Sequence, residues 1–125
     1  MSIILLKHSE ITGNIIGAGM EVHNYFGFGF PEIVYKRALC IEFDLRNIQY
    51  QQEVEKPIYY KGKKIYSRKL DVLVESSVLL EIKAVKELDN DSINQILNYM
   101  KVFNIEVGLL MNFGQKSFYF KRFVL

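Results

Sequence analysis

The chain has 125 residues, of which 50% are hydrophobic and 24% are charged. This is the composition of an ordinary soluble globular protein, without repeats or low-complexity segments, so we expect one domain spanning residues 1–125. The formal net charge of +2 is too small to indicate a nucleic-acid-binding protein by itself.

Cysteine usage and hydropathy restrict where the protein works. The single cysteine, Cys40, excludes an intramolecular disulfide, and its place in a predicted helix favours a packed thiol over a nucleophile. The apolar run Ile3–Leu6 is too short for the core of a signal peptide, and no stretch approaches transmembrane length. We therefore expect a cytoplasmic protein that does not associate with membranes.

The first predicted element is a helix from about Glu10 to Phe26. Ser9 can cap its N-terminus, and the glycine-containing turn at residues 27–29 ends it. Apolar residues recur in it at spacings of four, three and four, which places them on one face. This face consists of Ile11, Ile15, Ala18 and Val22.

A second helix is predicted from Pro31 to about Arg46, followed by Asn47 as its end. Proline suits the first turn of a helix because the backbone N–H that it lacks would have no partner there. The buried face of this helix is predicted to consist of Val34, Ala38, Ile41 and Leu45.

The rest of the chain predicts five strands and a third helix. Residues 89–92 offer several N-caps for this helix, which reaches about Phe103. The strands are predicted at Val54–Tyr60, Ile65–Glu75, Val78–Val85, Val107–Met111 and Phe118–Val124. The resulting order, α-α-β-β-β-α-β-β, predicts a mixed α/β fold.

Three charged residues interrupt the apolar strands in the middle of the predicted sheet. Glu81 and Lys83 are two residues apart on one strand, so their side chains leave the same face, and Asp71 lies on the preceding strand. Such groups are costly to bury without partners. Their position therefore indicates a functional or structural cluster.

Whether Asp71 joins the other two depends on the register between the strands. A two-residue turn would put Asp71 opposite Ile82 and on the wrong face. A three-residue loop pairs Val74 with Val78 instead. Asp71 then lies opposite Glu81, and we predict this register or a bulge of equal effect.

Two adjacent carboxylates repel each other unless a cation lies between them. Oxygen ligands with open positions suit Mg²⁺, or Mn²⁺ in its place, rather than zinc, which prefers histidine and cysteine. The side chain of Lys83 could orient a water molecule, or deprotonate it as the neutral amine, and as an ammonium group it could stabilise charge on a phosphate. The alternative is a structural ion pair of Glu81 with Lys83, with Asp71 facing solvent.

The spacing Asp71-x₉-Glu81-x-Lys83 resembles the catalytic motif of the PD-(D/E)XK nuclease superfamily. From about Ile11 onward the chain also resembles the small GxxExxY proteins of that superfamily, whose signature stands as Gly29-Phe-Pro-Glu32-Ile-Val-Tyr35. Further matching segments are Thr12–Ala18, Glu21–His23, Tyr60–Lys63, Leu70–Glu75, Leu80–Ala84, Gln95–Tyr99 and Gly108–Gly114.

The resemblance implies a restriction-endonuclease-like core, in which a mixed β-sheet is flanked by helices, and a metal-dependent active site. Asp71, Glu81 and Glu32 would hold the metal, with the backbone carbonyl of Ile82 as a further ligand. Lys83 would be the catalytic lysine. Without the resemblance, Glu32 would be interpreted as a carboxylate that complements the helix macrodipole.

Gln95 and Tyr99 are spaced i, i+4 and share a face of the third helix. They resemble the Q-x-x-x-Y motif of RecB-like nucleases, in which such residues help to position the metal site and nucleic acid. A surface glutamine and a half-buried tyrosine are the alternative. Ser92 and Lys69 depart from the family pattern, which often has histidine and arginine there, and His23 matches a family histidine that we interpret as structural.

Basic residues are concentrated between residues 56 and 69, where no acidic residue occurs. One interpretation is a solvated hairpin, and the other is a surface that follows the phosphates of nucleic acid. The candidate nucleic-acid-binding residues are Lys61, Lys63, Lys64, Arg68 and Lys69.

We therefore expect a nuclease that hydrolyses phosphodiester bonds of nucleic acid, DNA rather than RNA, with Mg²⁺ as its cofactor. A homodimer is expected by analogy with small nucleases of the superfamily. The alternative is a nuclease-like module that binds nucleic acid or protein without catalysis. Asp71, Glu81 and Lys83 are all retained, which favours the enzyme.

Overall fold

A computed structural model describes the backbone of residues 3–125 and the side chains of residues 8–125. Its elements are α1 (Ile3–Phe26), α2 (Glu32–Leu45), β1 (Tyr50–Tyr60), β2 (Lys63–Val74), β3 (Val78–Lys83), α3 (Asn90–Val102), β4 (Val107–Asn112) and β5 (Tyr119–Val124). The predicted order of helices and strands is confirmed. In residues 3–125, no helix is long and apolar enough to cross a membrane.

The five strands form one mixed sheet in the order β1-β2-β3-β4-β5. Neighbouring strands are antiparallel except β3 and β4, which are parallel and therefore need the crossover that α3 provides. Helices α1 and α2 share the larger apolar cluster with β2, β3 and β4. Helix α3 contributes to a second cluster with the same three strands and β5, so the sheet lies between two helical layers.

Helix α1 begins at Ile3, seven residues before the predicted start, so the prediction that Ser9 caps it is wrong. No proline or glycine separates Ile3 from Glu10, and the helix continues through this stretch. Inside it, the Thr12 hydroxyl donates to the Ser9 carbonyl at 3.2 Å. The predicted apolar face is confirmed, because Ile15, Ala18 and Val22 are buried and Ile11 packs against them.

The predicted buried face of α2 is wrong for Ile41 and Leu45, whereas Ala38 packs against the core as predicted. Ile41 and Leu45 are 61% and 72% exposed, whereas Tyr35, Leu39 and Phe43 are fully buried. The predicted residues and the observed ones both recur at helical spacing. The observed set faces the sheet because the large rings of Tyr35 and Phe43 bury more apolar surface there. Pro31, predicted inside the first turn, is instead the extended residue just before the helix, and the predicted end at Arg46 is the C-cap.

The strand bounds also differ from the prediction. Strand β1 begins at Tyr50 because the polar residues 50–52 pair with residues 72–74 of β2, although their composition is not typical of a strand. Strand β3 ends at Lys83, two residues early, because the side chain of Asn112 bonds to both backbone polar groups of Val85. The cap of α3 is Asp89, whose carboxylate accepts from the Ser92 amide.

The shifted face of α2 gives a direct stability test. We expect Leu39→Ala to lower the free energy of unfolding by about 2–5 kcal/mol, because it opens a cavity in the core. Leu45→Ala changes the same residue type in the same helix, and we expect a loss below about 0.5 kcal/mol. Urea denaturation measures both, and comparable losses in the two variants would contradict this orientation of α2.

Candidate active site

The candidate site lies where β2 and β3 separate. The two strands pair from Val74 with Val78 to Val72 with Leu80, which is the predicted three-residue-loop register. Asp71 is one residue beyond Val72, and Ile82 is two residues beyond Leu80. The Asp71 Oδ2 atom accepts a hydrogen bond from the backbone N–H of Ile82 at 3.1 Å. A side chain thus takes the place that a backbone carbonyl of β2 would occupy in a continued ladder.

Strand β2 is irregular at the same point. Leu70 and Val72 are two residues apart, yet they are buried in different clusters, on the α3 side and on the α1–α2 side of the sheet. Residues two apart on a regular strand share a face, so the strand turns over at Asp71. Across the sheet, Glu53 lies between the residues paired with Leu70 and Val72, and it has a φ of 52°.

Glu81 is the most deeply buried carboxylate of the candidate site. The residue is 5% exposed, and its Oε1 atom is buried with no hydrogen-bond partner among the described residues. Its Oε2 atom lies 3.9 Å from Nη2 of Arg68, too far for a hydrogen bond. Burial, followed by the negative charge of Asp71, raises the pKa of Glu81 to about 8, against the opposing charge of Arg68.

Lys36 is a member of the cluster that the sequence did not indicate. It is 8% exposed, and its Nζ atom lies 3.8 Å from Oδ1 of Asp71 and 4.0 Å from Oε1 of Glu53. It follows Tyr35 directly on α2, so the buried face of that helix carries its ammonium group towards β2. The pattern alone gave no signal, since a lysine beside a buried tyrosine commonly faces solvent.

Glu32 lies on the open side of the same cluster, in the first turn of α2. Partial burial and the negative charge of Asp71 raise its pKa, whereas the charges of Lys83 and Lys36 lower it. The charge of Asp71 thus acts on both Glu32 and Glu81. Within residues 8–125, however, no three acidic, histidine or cysteine side chains converge closely enough to form a metal site by themselves.

The signature around Glu32 has a clear architectural basis. The Tyr35 hydroxyl donates to the Gly27 carbonyl at 2.7 Å and accepts from the Phe30 N–H at 3.2 Å. Its ring stacks on Phe113 at 4.8 Å. Gly29 has a φ of 107°, a conformation that side chains strongly disfavour. Gly29 and Tyr35 thus fix the loop that leads into α2 and to Glu32.

Gln95 and Tyr99 join the candidate site through Arg68. The Gln95 amide donates to the Tyr99 hydroxyl at 3.3 Å, and the Arg68 guanidinium lies over the Tyr99 ring at 4.9 Å. Arg68 in turn faces Glu81. The i, i+4 pair on α3 thus supports the cation nearest to the buried carboxylate.

The predicted nucleic-acid-binding residues divide into two groups. Arg68 is largely buried and is directed at Glu81, with its Nε atom buried and unbonded in the described part of the chain. The other members lie exposed along the β1–β2 hairpin: Lys61, Lys63, Lys64 and Lys69. This hairpin extends past the end of β3, because β1 and β2 are about twice as long as β3.

The donor set fits a hard divalent cation in part. Asp71 and Glu81 bring carboxylate oxygens together, and the unbonded Oε1 of Glu81 is an acceptor whose burial would otherwise be unfavourable. Mg²⁺ commonly needs one or two protein carboxylates and completes its shell with water and phosphate. A pair of carboxylates is therefore sufficient.

Comparison with known proteins agrees with this geometry. A crystal structure of SSO0001 superposes with a TM-score of 0.57 and 19% sequence identity, which shows a shared fold. The alignment covers 73% of this chain and 48% of that one, so this chain spans about half the length of SSO0001. No curated protein matches the chain.

The comparison with family models is more specific. The model of the PD-(D/E)XK nuclease superfamily matches residues 9–123, which include most of α1, all of α2 and α3, and the sheet except for Val124. The match agrees with the mixed sheet flanked by helices. The chain therefore belongs to the PD-(D/E)XK nuclease superfamily.

Proposed function

We propose that this protein is a metal-dependent nuclease of the GxxExxY type that hydrolyses phosphodiester bonds of nucleic acid, with DNA preferred to RNA. One observation carries the proposal: at the point where two strands part, Asp71 accepts a hydrogen bond from the N–H of Ile82, the residue after Glu81, and a buried Glu81 oxygen is left unbonded among the described residues. Most buried side-chain acceptors in proteins have a hydrogen-bond partner, so an unpaired one beside a second carboxylate supports a bound cation.

Mg²⁺, or Mn²⁺ in its place, would be held by Asp71, Glu81 and the backbone carbonyl of Ile82. Glu32 would act on the metal ion at longer range. The metal ion would supply Lewis-acid polarisation of the scissile phosphate. The protein would contribute position: Lys36 and Arg68 flank the two carboxylates and reduce their mutual repulsion.

Lys83 would act on the reacting groups themselves. It is two residues beyond Glu81 on β3, and its positive charge reaches both Glu81 and Glu32. In that position it can orient the attacking water molecule and stabilise the negative charge that develops on the phosphate. Gln95 and Tyr99 would maintain the position of Arg68 behind the site.

The hairpin of β1 and β2 would follow the nucleic-acid backbone. Its exposed lysines provide charge, and its exposed tyrosines lie among them: Tyr59, Tyr60 and Tyr66. Such contacts are independent of base sequence and weaken as salt concentration rises.

Cleavage assays test the proposal with matched variants. We expect Glu81→Gln and Lys83→Ala each to lower Mg²⁺-dependent cleavage of DNA by at least about 100-fold, because each removes a group that acts at the reacting phosphate. Glu106→Gln and Lys101→Ala change exposed residues of the same types and should retain activity. Single-stranded DNA, duplex DNA and RNA are compared as substrates.

Absence of metal-dependent cleavage in the wild type on all three substrates would contradict the proposed enzyme. Cleavage that survives both site variants would assign the activity to other residues or to a contaminant. Only the first of these results would favour a nuclease-like module that binds without catalysis.

Burial of Glu81 also predicts a cost to stability. A carboxyl group with a raised pKa in the folded state binds more protons folded than unfolded, so metal-free wild type should lose stability as pH rises towards 8. Glu81→Gln lacks this titration and has an amide that can donate. We expect its midpoint of thermal unfolding in EDTA to exceed the wild-type value by a few degrees, about 2–6 °C.

The difference between the two midpoints should widen from about pH 5 to about pH 9. Scanning calorimetry at a series of pH values measures it. A difference that is constant with pH, or that shrinks as pH rises, would show that Glu81 is ionised at no cost in the folded protein.

A further inference from the structure

A cavity of about 490 Å³ opens beside the candidate site. It is lined by the loop at residues 28–30, by Ala84 and Lys86 after β3, and by residues 114–116 after β4. Ala84 follows Lys83 directly, and Phe30 is two residues before Glu32, so two walls of the cavity belong to the segments that carry these charged residues. Its volume falls within the roughly 300–1,000 Å³ that is usual for ligand sites.

The first wall of the cavity is held by the Tyr35 hydroxyl, which bonds to both ends of the loop from Gly27 to Phe30. The Phe30 ring also packs edge-on against the rings of Phe26 and Tyr35, at 5.4 and 6.3 Å. Phe30 nevertheless remains 45% exposed, and Phe28 is 57% exposed. This loop therefore presents two aromatic rings from a fixed backbone.

The second wall is held by side chains that bond to backbone groups. Asn112 is fully buried, and its amide pairs with both the N–H and the carbonyl of Val85, at 3.0 and 2.9 Å. The side-chain amide of Gln115 donates to the Lys86 carbonyl at 2.9 Å. The backbone carbonyl of Gln115 lies 2.8 Å from Nε2 of His23. Gly114 packs so closely on Val85 that an added Cβ would lie 2.3 Å from its nitrogen.

These bonds explain several residues that the catalytic cluster does not use. The hydrogen bonds of Asn112, Gln115 and His23 fix the two segments that carry Lys86 and Lys116. A cavity whose walls are fixed in this way is pre-organised for a ligand.

The chemistry of the lining identifies the class of ligand. Two exposed phenyl rings offer surfaces for stacking, and the exposed Lys86 and Lys116 offer positive charge; none of the described lining residues is acidic. A nucleotide has both complements, a flat base and an anionic phosphate. Stacking accepts any base, so the cavity would select for an accessible base and not for a sequence.

We propose that this cavity binds an unpaired nucleotide of the substrate strand, next to the phosphodiester bond that is cut. This inference rests on the proposed nuclease function and specifies its substrate as single-stranded nucleic acid or a single-stranded end. A base within a duplex is stacked and paired already, and its removal from the helix costs free energy. Continuous duplex is therefore the poorer ligand.

Binding without cleavage tests the inference. Fluorescence anisotropy in EDTA compares a labelled oligothymidylate of about 20 nucleotides with a duplex of equal length. The wild type should bind the single strand more tightly, and Phe28→Ala should weaken that binding about tenfold while duplex binding stays unchanged. Lys86→Gln and Lys116→Gln should each weaken single-strand binding and lower its salt dependence by about one unit.

Matched variants separate stacking from folding and from general charge. Phe28→Trp keeps an aromatic face and should retain single-strand binding, whereas Phe28→Leu keeps only the apolar bulk and should not. Tyr25→Ala and Lys121→Gln change exposed residues outside the cavity and should bind like the wild type. Equal wild-type affinity for strand and duplex, or full binding by Phe28→Ala, would overturn the inference.

Cleavage in Mg²⁺ is measured separately, so the two proposals can fail independently. Cleavage of duplex and single strand alike, unaffected by Phe28→Ala, would overturn the cavity assignment and leave the nuclease. Binding of the single strand through Phe28 without cleavage of any substrate would overturn the nuclease and support the cavity as a binding site.

Discussion

The hydrogen bond from the Ile82 N–H to the Asp71 carboxylate is the interaction on which the rest of the site depends. On its other edge, β3 is paired with β4 through Lys83 and Asn112, so its position is fixed there. On the β2 side the ladder stops at Val72 and Leu80, and a side chain enters the gap. That gap brings a second carboxylate beside Glu81 in the interior of a small domain.

Three neighbouring elements place side chains around these two carboxyl groups. Helix α2 supplies Lys36 to Asp71, and the more distal part of β2 supplies Arg68 to Glu81. Helix α3 holds Arg68 from behind through Tyr99. Neither cation makes a close hydrogen-bonded pair, and Glu81 keeps a raised pKa. Such a cluster is unfavourable for stability by itself, and it is typical of a site where function determines the residues.

Much of this arrangement could be predicted from the sequence because it depends on local periodicity. The element order followed from apolar patterns, and the register of β2 on β3 followed from the length of one loop. The face of α2 could not be predicted in the same way, since two apolar stripes one residue apart compete. Only packing against Phe113 and the sheet selects Tyr35, Leu39 and Phe43.

Contacts between residues that are far apart in the sequence could not be predicted from the apolar pattern. Lys36 reaches a strand 35 residues away in the chain, and nothing in its own neighbourhood distinguishes it from a surface lysine. The cavity could not be predicted for the same reason. Its walls come from three separated segments, which are held by the side chains of Tyr35, Asn112 and Gln115. Some residues of the matching motifs, such as Tyr35 and Asn112, thus hold the backbone of loops in place.

Titration calorimetry with Mn²⁺ tests most directly whether the carboxylate pair is a metal site. The wild type should bind Mn²⁺ in the absence of nucleic acid, and Asp71→Asn should abolish the binding heat while it keeps the shape of the side chain. Glu87→Gln removes an exposed carboxylate after β3 and should bind like the wild type. No binding by the wild type, or the same binding by Asp71→Asn, would contradict a metal site formed by Asp71 and Glu81.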